Sequence, residues 1–308
     1  MDPVTERFDC TTEPARSEGL AAAQEAVAAQ QCIVLPTDTV YGIGADAFSP
    51  LAVATLLAAK GRGRNMPPPV LIPRVGTMDG LAIDIPEDAR LLANFFWPGP
   101  LTLILRSQPS LTWDLGETRG TVALRIPDDD LARDLLDATG PLAVSSANRS
   151  GMPAATTAAE AEEMLAESVA VYLDGGPRPL PLPEAADAAE ATADAPADPG
   201  DPAVVPVLPS TIVDCTGDVL RVVRQGALPL EDLREHVPTL LGIGEETPDA
   251  ARADADTPAT PDADAQDSGV EIKEAEDAAA TGAGDPHGTG QSGRTGRAHA
   301  QEQPPASA

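Results

Sequence analysis

Pro36-Thr37-Asp38-Thr39-Val40-Tyr41-Gly42-Ile43-Gly44 sets hydroxyls, a carboxylate and two glycines directly after the apolar run Cys32-Ile33-Val34-Leu35. If that run is a strand ended by Pro36, these hydroxyls and backbone amides project from the carboxyl end of a strand, where α/β folds bind ligands. Further on, Lys60-Gly61-Arg62 stands close to Arg64, and Lys60 is the only lysine before Lys273. Cations in a glycine-bearing loop suit a phosphate clamp, although no GxxxxGK[ST] pattern is present and a lysine at a helix end could equally answer the helix dipole. In Thr121-Val122-Ala123-Leu124-Arg125-Ile126, alternation buries Val122, Leu124 and Ile126. Thr121 and Arg125 then share the other face roughly 13 Å apart, a span that fits two parts of one nucleotide-sized ligand or merely a solvated arginine. Ser145-Ser146-Ala147-Asn148-Arg149-Ser150-Gly151 again follows a short apolar run, and its hydroxyl and amide density suits a polar substrate or an Asx-turn loop.

These segments need a scaffold that brings strand ends together. An amphipathic helix is predicted over 18–30. Another opens on the N-cap pair Ser49-Pro50, carries Leu51, Val53, Leu56 and Leu57 on one face, and stops at Gly61. Further strands are predicted at 70–72, 101–105, 121–126, 142–144, 169–173, 211–213 and 219–223. Helices fill 87–96, 129–138 and 157–166, the last opened by a Thr157-to-Glu160 capping box. Strands interleaved with helices give an α/β fold with a mixed sheet.

Composition limits the chain to one folded domain. Around 177–209, and again over 245–308, the sequence is Ala, Asp, Glu, Pro, Gly and Thr with few large apolar side chains, too few to offset the entropy of ordering. The expected organisation is a lead-in over 1–17, a domain over 18–229 interrupted by a disordered insertion at about 177–209, a short flanking segment over 230–244, and a disordered acidic tail over 245–308. A net charge of −29 would oppose a polyanionic ligand if it were spread evenly. It is not: residues 1–177 carry 12 basic and 24 acidic side chains and residues 178–308 carry 8 and 25, so most of the excess lies outside the core. Cys10, Cys32 and Cys215 form no CxxC, which argues against a zinc ribbon or disulfide framework and fits a reducing cytosol. His236, His287 and His299 all follow the motifs, so neither a Ser-His-Asp triad nor a histidine metal site is expected among them. No signal peptide or membrane span is read.

Taken in order, PTDTVYGIG, KGR, FWPGPLTLIL (96–105), TVALRIP, SSANRSG, PSTIVD (209–214) and VVRQG (222–226) resemble the YrdC family of threonylcarbamoyl-adenylate synthases over residues 18–229. The resemblance implies a twisted sheet with flanking helices around a concave, electropositive cavity. It also implies a cytoplasmic nucleotidyltransferase that joins L-threonine, bicarbonate or CO2, and ATP into threonylcarbamoyl-AMP and pyrophosphate for threonylcarbamoyladenosine in tRNA. Mg2+ would accompany the ATP, with no metal site built by the protein. Carried over position by position, Lys60 and Arg62 become the triphosphate clamp and the residues on which turnover depends. Thr37, Arg125, Val144 and Ser210 become threonine contacts; Met66, Thr121, Ser146, Asn148, Ala154 and Arg224 join the clamp around ATP. A downstream tRNA threonylcarbamoyl transferase, and tRNA indirectly, are the implied partners, with no membrane. Met66 and Leu71 stand where family members often carry Asn and His, and Pro209 replaces a common Glu. Two rivals are a carbamoyl-transfer enzyme of hydrogenase maturation, whose Cys-rich zinc modules are missing here, and a non-catalytic RNA-binding module, which 3% aromatic residues and an acidic balance disfavour.

Overall fold

The apolar runs become strands of one mixed sheet because helices cover both of its faces. The structure, a computed structural model, describes residues 5–179 and 208–246. The strands are β1 (Glu6–Asp9), β2 (Ile33–Leu35), β3 (Gly42–Asp46), β4 (Val70–Leu71), β5 (Ala82–Ile83), β6 (Leu101–Ser107), β7 (Thr121–Arg125), β8 (Leu142–Ser146), β9 (Val171–Asp174), β10 (Thr211–Asp214) and β11 (Arg221–Arg224). Their order across the sheet is β1-β9-β2-β3-β8-β4-β7-β6-β10-β11, with β5 pairing β6. The helices are α1 (Ala15–Ala28), α2 (Pro50–Ala59), α3 (Met78–Leu81), α4 (Glu87–Phe96), α5 (Asp130–Thr139), α6 (Ala158–Leu165) and α7 (Leu230–His236).

Strand alternation divides the core between the two faces. Ile33 and Leu35 of β2 and Val171 and Leu173 of β9 pack with Leu131, Leu135 and Leu136 of α5. Val34 and Tyr172, between them in the same strands, pack instead with Ala158, Ala161 and Leu165 of α6. A strand buried on both faces reads as continuously apolar, which is why these runs were legible. The third cluster joins β6 and β7 to α4 and α7.

The caps hold with one change. Ser49 accepts from the Ala52 amide and Asp129 from the Ala132 amide. Thr157 accepts from the Glu160 amide, but the Glu160 carboxylate takes the Thr156 amide rather than that of Thr157, so the capping box closes one residue early. Leu51, placed by periodicity on the buried face of α2, is exposed.

Three expectations about organisation change. Residues 6–9, read as lead-in, form β1 parallel to β9; only Phe8 packs inward, so the strand carries no apolar pattern. The glycine-rich end of the first motif is β3 rather than a loop, pairing with both β2 and β8. Residues 230–244 are not merely flanking: Leu233, Val237 and Leu240 are buried in the α4 cluster, and His236 stacks on Phe95 at 3.8 Å. Most of the expected insertion (180–207), nearly all of the expected tail (247–308), and His287 and His299 lie outside the described residues. Arg178, inside the range expected to be disordered, is buried against Asp129 at 2.6 Å and donates to the carbonyls of Gly175, Gly176 and Pro177.

Candidate active site

Helix α2 ends in a Schellman motif that aims the basic residues. Lys60 is its C-cap; Gly61 takes φ +64° at the next position, which glycine adopts at least cost. The Gly61 amide returns to the Ala58 carbonyl and the Arg62 amide to the Leu57 carbonyl, closing the motif. The two cations consequently leave the helix in different directions.

Arg62 reaches a cavity of about 380 Å³. Thr37, Thr39 and Val40 line it from the loop after β2; Thr121 and Arg125 come from β7, Val144, Ser145 and Ser146 from β8. Met66 and the three prolines after it, together with Ser210 and Arg224, complete the wall. Nine of the expected site residues therefore meet here: Thr37, Arg62, Met66, Thr121, Arg125, Val144, Ser146, Ser210 and Arg224. Leu71 lines it as well.

Lys60, Asn148 and Ala154 are not in that lining. Lys60 is 1% exposed. Its ammonium donates to the carbonyls of Ser146 and Asn148 and to Asn148 Oδ1, the last two at 2.8 and 3.1 Å. The Ser150 amide returns to the Lys60 carbonyl. Asn148 then spends its amide hydrogens on the carbonyls of Arg149 and Met152. Lysine and asparagine thus brace the loop after β8 from behind. Burial, with the Arg62 charge nearby, pushes the Lys60 amine down to about 7, while the three oxygens around it favour the ammonium.

Three guanidinium groups converge on the cavity in different states. Arg62 donates to Ser145 Oγ at 3.1 Å, and its buried Nε has no partner among the described residues. Arg125, expected on a face that could be solvated, is 7% exposed and donates to Asp38 Oδ1 at 2.6 Å, to the Gly99 carbonyl and to Thr39 Oγ1. Arg224 holds the Ser210 carbonyl at 2.7 Å and its hydroxyl at 3.0 Å. Partial burial of its head, then the charges of Arg125 and Arg62, pull Arg224 below its ordinary value. The hydroxyls of Thr37 and Thr121 are turned to their own loops, donating to the carbonyls of Val40 and Thr118.

Ser210 is held from both sides: Thr102 Oγ1 lies 2.8 Å from its hydroxyl, and Gly226 sits against its backbone. A Cβ on Gly226 would come 2.1 Å from the Pro209 carbonyl oxygen and 2.6 Å from that of Ser210. Gly226→Ala is therefore expected to cost about 1–3 kcal/mol, read as a thermal midpoint lowered by several degrees, and to detach Arg224 from Ser210. An unchanged midpoint would show that the Pro209–Ser210 turn yields freely.

Sequence reasoning passed over Asp38, Thr39, Ser145 and Thr102. Asp38 gave no signal of its own, because the alternation in 121–126 leaves the burial of Arg125, and so its need for a carboxylate, unread. Nothing in the pair Ser145-Ser146 says which hydroxyl meets Arg62.

The family model Sua5_yciO_yrdC, described as "Telomere recombination", matches residues 25–185. A Mycobacterium tuberculosis protein whose name, threonylcarbamoyl-AMP synthase, is marked provisional is 46% identical over 232 residues, covering 75% of this chain and 95% of its own length. The threonylcarbamoyl-AMP synthase of Pyrococcus abyssi is 32% identical over 204 residues, covering 66% of this chain and 52% of its own. The crystal structure of P. abyssi Sua5 complexed with L-threonine superposes with a TM-score of 0.62 at 28% identity, covering 80% of this chain and 64% of that one. This chain thus spans about half to two thirds of the archaeal protein and nearly all of the mycobacterial one.

Proposed function

The chain belongs to the Sua5/YciO/YrdC family, and from that premise we propose that it is an enzyme making threonylcarbamoyl-AMP and pyrophosphate from L-threonine, bicarbonate or CO2, and ATP, for the threonylcarbamoyl modification of tRNA. The observation that carries this reading is the convergence of Arg62, Arg125 and Arg224 on one cavity, with burial and then the like charges of Arg125 and Arg62 disfavouring the cationic form of Arg224. An anion bound among them relieves that cost, and a triphosphate with an amino-acid carboxylate supplies such charge. The P. abyssi relative holding L-threonine supports the amino-acid half.

The chemistry is a nucleotidyl transfer. The threonine amine is carboxylated; a carbamate oxygen attacks the α-phosphorus in line; the bond to the β-phosphate breaks and pyrophosphate leaves. Such a transfer depends on positioning and charge neutralisation more than on an acid or base. Arg62, with an unpartnered Nε, meets the phosphates. Arg125, held by Asp38, Gly99 and Thr39, supplies positive charge beside the threonine carboxylate, with Thr37, Val144 and Ser210 around the amino acid. Met66, Thr121, Ser146 and Arg224 flank the nucleotide. Lys60 and Asn148 act by bracing the end of β8, which carries Ser145 and Ser146, and the loop that follows it.

Among the described residues no three His, Cys, Asp or Glu side chains gather as metal ligands, and Asp38 already holds Arg125. That donor set fits a Mg2+ ion carried in on ATP, where it would neutralise phosphate charge while keeping most of its waters. The product would pass to a tRNA threonylcarbamoyl transferase, with tRNA contacted indirectly. No helix among the described residues is long and apolar enough to cross a membrane. The three cysteines are free thiols, buried, and raised by that burial, which suits a reducing cytoplasm.

Pyrophosphate release from ATP tests the reading. Release is expected only when L-threonine and bicarbonate are both present. Release indifferent to either omission, or tight RNA binding without turnover, would overturn it.

A further inference from the structure

One rim of the cavity is held by contacts that the proposed chemistry does not use. Residues 108–120 connect β6 to β7 and cross the turn 62–66 that follows α2. Arg62 and Met66 face the cavity from the turn, Leu115 and Thr118 from the crossing segment, so the two form facing sides of one opening. A backbone seam joins them: the Glu117 amide donates to the Arg64 carbonyl at 2.7 Å. Arg64 pairs with Asp114 at 2.7 Å, with both side chains more than a third exposed, so the pair itself holds weakly. Phe48, which precedes the α2 N-cap, stacks on Trp113 with ring centroids 5.5 Å apart and planes 20° from parallel. Asp114 also accepts the Gly116 amide, which tightens the crossing segment where it meets Arg64.

The stack links the two ends of α2. Phe48 enters the helix and Arg62 leaves it, and the segment carrying Trp113 bridges from one to the other. Displacing that segment frees Arg64, and with it the turn that aims Arg62, while Trp113 itself stands outside the cavity lining.

We propose that Trp113 is a positioning residue: stacked on Phe48 and continued by the seam to Arg64, it holds the 62–66 turn so that Arg62 meets the nucleotide phosphates. This rests on the synthase reading above. It assigns the pair of exposed Phe48 and half-buried Trp113 a role in ATP affinity rather than in threonine binding.

The test is steady-state pyrophosphate release by the full chain, with ATP and threonine varied separately. Trp113→Ala is expected to raise the KM for ATP about tenfold, the scale of one aromatic contact, and to lower kcat with it as the Arg62 turn loosens, with the threonine KM little changed. Trp113→Phe, which keeps a ring on Phe48, is expected to restore the ATP KM. Gly116→Ala reaches the same seam by another route, since its Cβ would lie 2.6 Å from the Arg64 carbonyl oxygen at φ +104°, and it should reproduce the ATP effect. Trp113 emission, read as the difference from Trp113→Phe, should change saturably with ATP and not with threonine alone.

An unchanged ATP KM in Trp113→Ala overturns the proposal, as does an equal loss in both KM values with no rescue by phenylalanine. Failure of the wild-type chain to release pyrophosphate overturns the synthase reading instead, and the emission titration then decides whether nucleotide binding still reaches the segment that carries Trp113.

Discussion

Lys60→Met is expected to lower the thermal midpoint by about 6–12 °C and to slow pyrophosphate release about 100-fold. The substitution keeps much of the side-chain length but removes the donor shared by three oxygens, two carbonyls and Asn148 Oδ1, in a place that is 1% exposed. Stranding buried acceptors costs about 1–3 kcal/mol each before the loop relaxes, so a net loss near 3 kcal/mol is a conservative figure. The activity falls because Ser145 and Ser146 reach the cavity from the end of β8 that the ammonium braces, and misplacing positioning groups by an ångström can cost about two orders of magnitude. Thermal denaturation and turnover should fall together. A Lys60→Met protein that melts like the parent but does not turn over would place the ammonium on the substrate rather than under the loop.

Arg62→Ala is expected to give the opposite combination: a midpoint within about 2 °C of the parent and pyrophosphate release slowed about 100- to 1,000-fold. Among the described residues its guanidinium makes a single hydrogen bond, to Ser145 Oγ, so little of the described fold depends on it. Removing one cation that stabilises charge on a transferring phosphoryl group removes about 3–4 kcal/mol from the transition state. Arg62→Lys is expected to recover only part of this, because a point charge cannot reproduce a planar fork. Measuring the two variants side by side separates bracing from binding in a motif whose basic residues are only two positions apart. Normal turnover by Arg62→Ala would remove the phosphates from this end of the cavity.

Much of the scaffold was legible because local signals and tertiary packing agree. The Ser49-Pro50 start and Gly61 stop of α2, and α4 over Glu87–Phe96, stand where caps and periodicity put them. Strands with both faces covered announce themselves as apolar runs. Strand β3 did not, since glycine is a poor strand former and the reason for it is non-local: a Cβ on Gly42 would lie 2.5 Å from Val144 Cγ1 on the neighbouring strand.

The site followed the same division. Which residues gather around the cavity could be read from the order of the motifs, but their protein partners could not. Arg125 is buried because Asp38, 87 positions earlier in the chain, waits beside it. Lys60 turns from the cavity toward carbonyls 86 and 88 positions later. No spacing rule along the chain carries contacts of that range.

Strand β1 has a consequence for how the molecule behaves in a crowd. Among the described residues it terminates one side of the sheet, with Glu6, Arg7 and Asp9 exposed along it. The strand that it covers, β9, reads Val171-Tyr172-Leu173-Asp174. An uncovered strand of that composition is a template for edge-to-edge pairing between molecules, whereas a short charged edge repels it. The four residues of β1 therefore act as a guard against self-association, and a chain begun at residue 18 would meet its neighbours with a sticky edge.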